Sequence, residues 1–361
     1  MNFNVEFKKI SLYPIIIILM LLCISLLEMY SLSAGQVTPR FINHVVHIFF
    51  GVCALVITFA IPTKFWKRYT YCIYSASLIL LIAVSVFGKT VMGAKRWLTI
   101  GVITLQPSEM MRLALIMALS KYFSNITLPD VRCTRYIIGS LVLLSLPVIF
   151  VLKQPDLGSA VLLIFVYIAM LFIVGVQLWK FLIPFLGVLI ATPFIWMSLH
   201  DYQKNRILMF LNPETDPNGA GYHIIQSKIA LGAGGIFGLG FCNGTQCQLS
   251  FLPEKYTDFI FSAIGEEFGF IGCFTVVILY ILLLGYNYKI SLQTKDKFLK
   301  YLVFGINAML FFYILINISM VCGIVPVVGV PLPFLSYGGT SLITLMFCEG
   351  LILSIANSSN N

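Results

Sequence analysis

Charge is what this 361-residue sequence has least of. Asp, Glu, Lys and Arg make up only 10% of it, against 59% apolar residues, and the mean hydropathy is +0.96. Soluble globular domains carry about 25% charged and about 45–50% apolar residues. The composition excludes such a domain, and length becomes a count of membrane spans at about 20 apolar residues each. Basic runs interleaved with aromatics are missing, which excludes a nucleic-acid surface despite the net charge of +9. No Cys or His pair has the spacing of a structural zinc site. Most cysteines lie inside apolar runs, where Cys23, Cys53, Cys72, Cys273, Cys322 and Cys348 read as small core residues. Cys242 and Cys247 instead flank the polar turn CNGTQC, where a small disulfide is possible if the loop faces an oxidising compartment. The first apolar run, LYPIIIILMLLCISLL, lacks a following cleavage site and is too long for a signal-peptide core, so it reads as a retained span. No inverted repeat of the transporter kind is visible.

What is present is a series of apolar runs at 12–32, 42–62, 69–88, 107–124, 136–152, 157–176, 178–198, 258–286, 301–323 and 333–356. They predict an all-α integral membrane protein with ten transmembrane helices, a single polytopic domain over 1–361. The fourth helix is expected to be short and amphipathic, because Glu109, Arg112 and Lys121 lie on it. With the N-terminus inside, the inside loops hold Lys8, Lys9, Lys64, Lys67, Arg68, Lys121, Arg132, Arg135, Lys180, Lys289, Lys295, Lys297 and Lys300. The short outside loops hold only Arg40, Lys89, Lys95, Arg96 and Lys153. That bias predicts N-in, C-in. Lys204, Arg206, Lys228 and Lys255 fall in one long outside loop, 199–257, and long loops count little in the rule. Half of that loop is apolar, so it is expected to lie on the outer membrane face, partly re-entrant. Its Gly232, Gly234, Gly235, Gly238 and Gly240 follow no strand, which rules out a nucleotide-binding loop.

Acids gather where the chain returns to the membrane. FLPEKYTDFIFSAIGEEFGFIG holds Glu254, Asp258, Glu266 and Glu267. Asp258 falls at the start of the eighth span, and Glu266 lies about 12 Å deeper along a helix. Ionisable groups at that depth need partners or water. Two more outside connections add charge. GKTVMGAKRWLTIGVITLQPSE brings Lys95, Arg96 and Trp97, then Glu109 and Arg112, which can pair at i, i+3. KQPDLGSA brings Asp156. The plainer readings are a helix-start carboxylate for Asp258 and an interfacial belt residue for Trp97. His44 and His47, at i, i+3, suit an interhelical hydrogen bond better than a metal.

The ordered pieces QPSE, QPDLGSA, NPETDPNGAGYHIIQSKIALGAGG, GTQCQLSFLPEKYTDFIF, IGEEFG and GVPLPFLSYGGTS resemble the SEDS family (shape, elongation, division and sporulation), and within it the RodA branch rather than the FtsW branch. The resemblance implies a glycosyltransferase that polymerises lipid II into peptidoglycan strands at the outer face of the bacterial plasma membrane. It implies a class B penicillin-binding protein, the transpeptidase, as partner. The family's essential aspartate falls on Asp258, its tryptophan on Trp97, the acid of QPSE on Glu109 and the aspartate of QPDLG on Asp156. Arg112 stands where the family often has Lys, Cys247 where it has Ser, and Leu239 where it often has Lys.

The chemistry is an inverting displacement of a lipid pyrophosphate by a sugar 4-hydroxyl. It calls for a base within hydrogen-bond reach of that hydroxyl and for positive charge at the leaving group. Asp258 is the candidate base. Lys95, Arg96, Trp97, Glu109, Arg112, Asp156 and Lys255 are the candidate substrate-binding residues, with Lys204 and Arg206 as further cations. No cofactor is required by the sequence. A divalent cation, Mg or Mn, could assist, although no ligand spacing argues for one. A lipid II flippase and a non-catalytic scaffold for wall enzymes are the rival readings. A flippase would set its polar groups near mid-membrane, whereas here they collect at one face.

Overall fold

The structure, a computed structural model, describes residues 11–359 apart from 92–93, 101–102, 128–133, 178, 199–203, 205–207, 209, 211–219, 250 and 253. Lys8, Lys9, Arg132, His200 and Arg206 lie outside the described residues. The chain order is α1 (Leu12–Leu32), α2 (Pro39–Ala60), α3 (Thr63–Phe87), β1 (Lys89–Val91), β2 (Ala94–Ile100), β3 (Ile103–Leu105), α4 (Pro107–Ser124), α5 (Thr134–Lys153), α6 (Leu157–Val174), α7 (Trp179–Ser198), α8 (Ala220–Ala233), α9 (Thr245–Gln248), α10 (Ile260–Gln293), α11 (Lys297–Val321) and α12 (Gly339–Ser359). Eight of the described helices, α1, α2, α3, α5, α6, α10, α11 and α12, are long and apolar enough to cross a membrane.

The bundle is built around α4. Every residue from Met111 to Ser120 is buried, and α3, α5, α6, α11 and α12 pack around it. The expected amphipathic helix is therefore a core helix. Its charges do not form a wet stripe, because Glu109 and Arg112 neutralise each other one turn apart and both are buried. Lys121 closes its far end, donating to the carbonyl of Lys67 at 2.6 Å. Outside this core, α12 lies against α2, and α10 against α11 and α1.

Two elements were absent from the helical reading. The α3–α4 connection folds into a three-stranded antiparallel sheet, pairing Thr90 with Lys95 and Thr99 with Thr104. Thr340, at the start of α12, ties the sheet down by donating to Thr104 O at 3.1 Å. The other element is a break in α10. Gly269 sits at φ 65°, ψ −159° inside the helix. Phe270 and Ile271 would ordinarily donate to Glu266 O and Glu267 O. They donate instead to Gly235 O (2.9 Å) and Ile236 O (3.2 Å), and the freed carbonyls accept from Leu239 N (2.9 Å) and Gly240 N (3.0 Å). The glycine-rich loop thus supplies the hydrogen bonds that the helix forgoes, which a low-dielectric setting demands. Gly238, at φ +82°, touches the Glu267 carbonyl so closely that a Cβ would collide with it.

Candidate active site

Asp258 lies in the turn Glu254–Phe259 that leads into α10, and it is half-buried. Its carbonyl accepts from Asn317 Nδ2 of α11 at 2.9 Å. A Cβ on Gly329, in the loop between α11 and α12, would stand 3.5 Å from Asp258 Oδ2. The same loop abuts the next group of charges, since a Cβ on Gly158 would stand 2.6 Å from Val328 O. Gly158 belongs to the first turn of α6, which Asp156 caps by accepting from Ser159 N at 3.2 Å. The short segment 328–330 therefore touches both the Asp258 turn and the first turn of α6, which Asp156 caps.

From Asp156 a polar chain runs inward. Ser159 Oγ donates to Asp156 Oδ2 at 2.6 Å and receives Arg112 Nη2 at 2.5 Å. Arg112 Nη1 pairs with Glu109 Oε1 at 2.7 Å, and Tyr313 OH donates to Glu109 Oε2 at 2.6 Å. The Arg112 guanidinium also stands 5.0 Å from the centre of the Tyr313 ring. A planar fork serves two acceptors on two helices at once, which the single ammonium of a lysine would do less rigidly. Outward, Arg96 Nη1 approaches Asp156 Oδ1 at 3.9 Å. Its remaining nitrogens donate to the carbonyls of Gln154 (3.2 Å) and Pro155. Arg96 keeps 30% of its side chain exposed, whereas Glu109, Arg112 and Asp156 keep 7% or less. Lys95 is exposed and Trp97 half-buried on the same strand.

Lys255 is turned inward. It is buried and donates to Cys247 O. Burial holds its amino group below the ordinary lysine range, and Arg40 pushes the same way, against the pull of Cys247, Glu266 and Glu267. Glu266 acts as the cap of α9, accepting from Gln246 N (2.7 Å), Thr245 Oγ1 (3.2 Å) and Cys247 N (3.1 Å). Glu267 accepts from Ser31 Oγ and from Cys242 N. The two acids brace the 242–248 segment. Cys242 and Cys247 are free, and Cys247 is buried. No disulfide closes CNGTQC, whose backbone N–H groups are held by Glu266 and Glu267. Burial pushes the Cys247 thiol up, with Glu266 adding to the effect. His44 Nε2 meets Ser25 Oγ at 2.8 Å, and Ser25 donates its proton to Leu335 O at 2.6 Å, so His44 is the donor of the pair. Among the described residues no group of three or more His, Cys, Asp or Glu is arranged to hold a metal ion.

A family model, FtsW/RodA/SpoVE cell cycle protein, matches residues 9–361. The chain belongs to this family. The peptidoglycan glycosyltransferase MrdB of Escherichia coli (strain K12) is 41% identical over 360 residues, covering 98% of this chain and 96% of MrdB. A solved chain from a peptidoglycan synthase complex that coordinates polymerization and crosslinking superposes with a TM-score of 0.83 at 28% identity, covering 96% of this chain and 97% of that one. The rod shape determining protein RodA of Thermus thermophilus shares the fold, with a TM-score of 0.75 at 24% identity over 99% of each chain.

In this FtsW/RodA/SpoVE member the motif residues divide into two sets. Asp258, Lys95, Arg96 and Trp97 retain solvent access, whereas Glu109, Arg112, Asp156 and Lys255 are spent on internal partners. Sequence reasoning passed over Ser159, Tyr313 and Asn317. Ser159 was legible, because a serine three residues after a helix-capping Asp is placed to meet that carboxylate. Tyr313 and Asn317, four apart in an apolar run, gave no sign of which neighbours they would meet.

Proposed function

We propose that this protein is a peptidoglycan glycosyltransferase that polymerises lipid II into glycan strands at the outer face of the bacterial inner (plasma) membrane during elongation and shape maintenance. Family membership and the MrdB relation support the activity. In this reading the chain spans the membrane ten times, N-in and C-in, with loop 199–257 outside.

One observation carries the assignment of the site: segment 328–330 touches both Asp258 and the first turn of α6, whose capping Asp156 pairs with Arg96. The one segment thus touches the Asp258 carboxylate at Gly329 and, at Val328, the first turn of the helix that Asp156 caps. Asp258 takes the proton of the acceptor sugar 4-hydroxyl. Arg96 and Lys95 receive the charge that develops on the departing pyrophosphate, which leaves without protonation. Trp97 offers an aromatic face to a sugar ring. Glu109, Arg112 and Asp156 fix Arg96 from behind. An apolar cavity of about 130 Å³ between α3, α4 and α12, lined by Trp66, Met110, Leu113 and Phe347 among others, can take part of a polyprenyl chain. A class B penicillin-binding protein, the transpeptidase, is the proposed partner, in keeping with the synthase complex this chain resembles.

The test is polymerisation of purified lipid II by the wild type and by Asp258→Ala, each with the partner transpeptidase. Polymer from the wild type and none from the variant is the expected result. Undiminished polymer from Asp258→Ala removes it from the mechanism. Translocation of labelled lipid II with no polymer from the wild type replaces the enzyme by a flippase.

A further inference from the structure

The Asp258 turn is held by three consecutive carbonyls rather than by packing alone. Tyr256 O accepts from Tyr337 N at 2.8 Å. Thr257 O accepts from Ser336 Oγ at 2.5 Å. Asp258 O accepts from Asn317 Nδ2 at 2.9 Å. The donors come from α11 and from the SYGG segment before α12, far along the chain from the turn they grip.

Asn317 does more than grip. Its second amide hydrogen goes to Val330 O at 2.7 Å, so one fully buried NH2 group ties the carbonyl of Asp258 to segment 328–330. That segment faces Asp258 Oδ2 at Gly329 and α6 at Gly158. Ser336 is a relay too, since Leu332 N donates to Ser336 Oγ at 2.8 Å while Ser336 donates to Thr257 O. Neither side chain approaches the surface, and Ser336 is 3% exposed.

We infer that Asn317 and Ser336 are positioning residues, which set the distance and angle of the Asp258 carboxylate relative to the Asp156–Arg96 side of the site by clamping the backbone that carries it. The inference rests on Asp258 being the base. A base must sit within hydrogen-bond reach of the hydroxyl it deprotonates, and a misplacement of about 1 Å costs about a hundredfold in rate. Releasing the clamp should therefore slow the chemical step and leave substrate binding largely intact.

The experiment measures lipid II polymerisation by the full chain with its partner for wild type, Asn317→Leu, Ser336→Ala, Ser336→Thr and Asp258→Ala. Leu is close to Asn in shape and has no donor. Expected are a kcat lowered about 10- to 100-fold in Asn317→Leu and Ser336→Ala, a KM within about threefold of wild type, and recovery in Ser336→Thr, which keeps the hydroxyl. The acid limb of the kcat/KM profile, which reports the free enzyme's base, should move in the two impaired variants. A merely structural role would lower the amount of folded protein and leave kcat per folded molecule and the pH profile unchanged, and that result overturns the clamp. Wild-type kcat in both variants beside an inactive Asp258→Ala also overturns the clamp while the base stands. An active Asp258→Ala removes the base and the clamp together. Should Asn317→Leu fail to fold, Ser336→Ala and Ser336→Thr decide the matter on the neighbouring carbonyl.

Discussion

Glu109→Gln isolates what the buried charge pair contributes, because the shape of the side chain is kept and its charge removed. The carboxylate lies 2.7 Å from Arg112 Nη1, both side chains are 4% exposed, and Tyr313 OH donates to its second oxygen. An exposed pair of this kind would be worth about 0–1 kcal/mol. Here removal of one partner leaves a buried guanidinium without its direct counter-charge, held only through Ser159 and the Tyr313 ring, and such breaks cost about 3–5 kcal/mol. The amide still accepts one hydrogen bond, so the lower end, about 3 kcal/mol, is expected. At roughly 2 °C per kcal/mol for a long chain, the midpoint of thermal unfolding in a fixed detergent should fall by about 6 °C. The double variant Glu109→Gln with Arg112→Met removes the orphaned charge and should regain most of that loss, since replacing a whole buried pair by apolar groups is often neutral. Polymerisation should stay impaired in the double variant, because Ser159 and Asp156 lose the guanidinium that orients them. A single variant that unfolds within a degree of wild type refutes the reasoning, and so does a double variant less stable than the single one.

Two further predictions concern the scaffold. Gly238→Ala forces a left-handed residue into the Glu267 carbonyl and should cost at least about 2 kcal/mol, seen as a lower unfolding midpoint. The matched control Gly232→Ala, with open space around it and a helical position in α8, should be neutral or gain up to about 1 kcal/mol. Asp296→Ala removes the cap of α11, where Asp296 Oδ1 accepts from Phe298 N (2.8 Å) and Leu299 N (3.2 Å) while Oδ2 pairs with Lys67 at 2.7 Å. The lost cap should cost about 1 kcal/mol, and the ion pair, with both side chains about 40% exposed, adds at most about 1 kcal/mol. Partial burial raises the Asp296 carboxyl, but Lys67 and the two backbone donors outweigh it and hold the group below its ordinary range. Its contribution is then present above the usual Asp range and is lost as pH falls through the lowered value, so wild type and Asp296→Ala should converge in stability in strong acid.

Hydropathy alone was enough to read a helical membrane protein, of which eight described helices are long and apolar enough to cross a membrane, because burying backbone in oil leaves a continuous apolar sequence few options but a helix. The motifs singled out Asp258, Arg96 and Glu109 as candidates for the chemistry, since charge so close to a membrane core has to be accounted for. Composition could not say which charges face water. The i, i+3 spacing of Glu109 and Arg112 offered the pair that forms, yet the helix read as amphipathic, and only the packed bundle made it the buried core. The loop was expected on the outer membrane face and partly re-entrant, but the sequence did not show that it enters the break at Gly269, where a Cβ on Gly234 or Gly238 would collide with the backbone of the opened helix. Which carbonyls Asn317 would grip, and that Lys255 would turn inward, depended on contacts between residues remote in the chain. A periodic apolar pattern specifies which side of an element is buried, and only the packed bundle decides what each buried polar atom meets there.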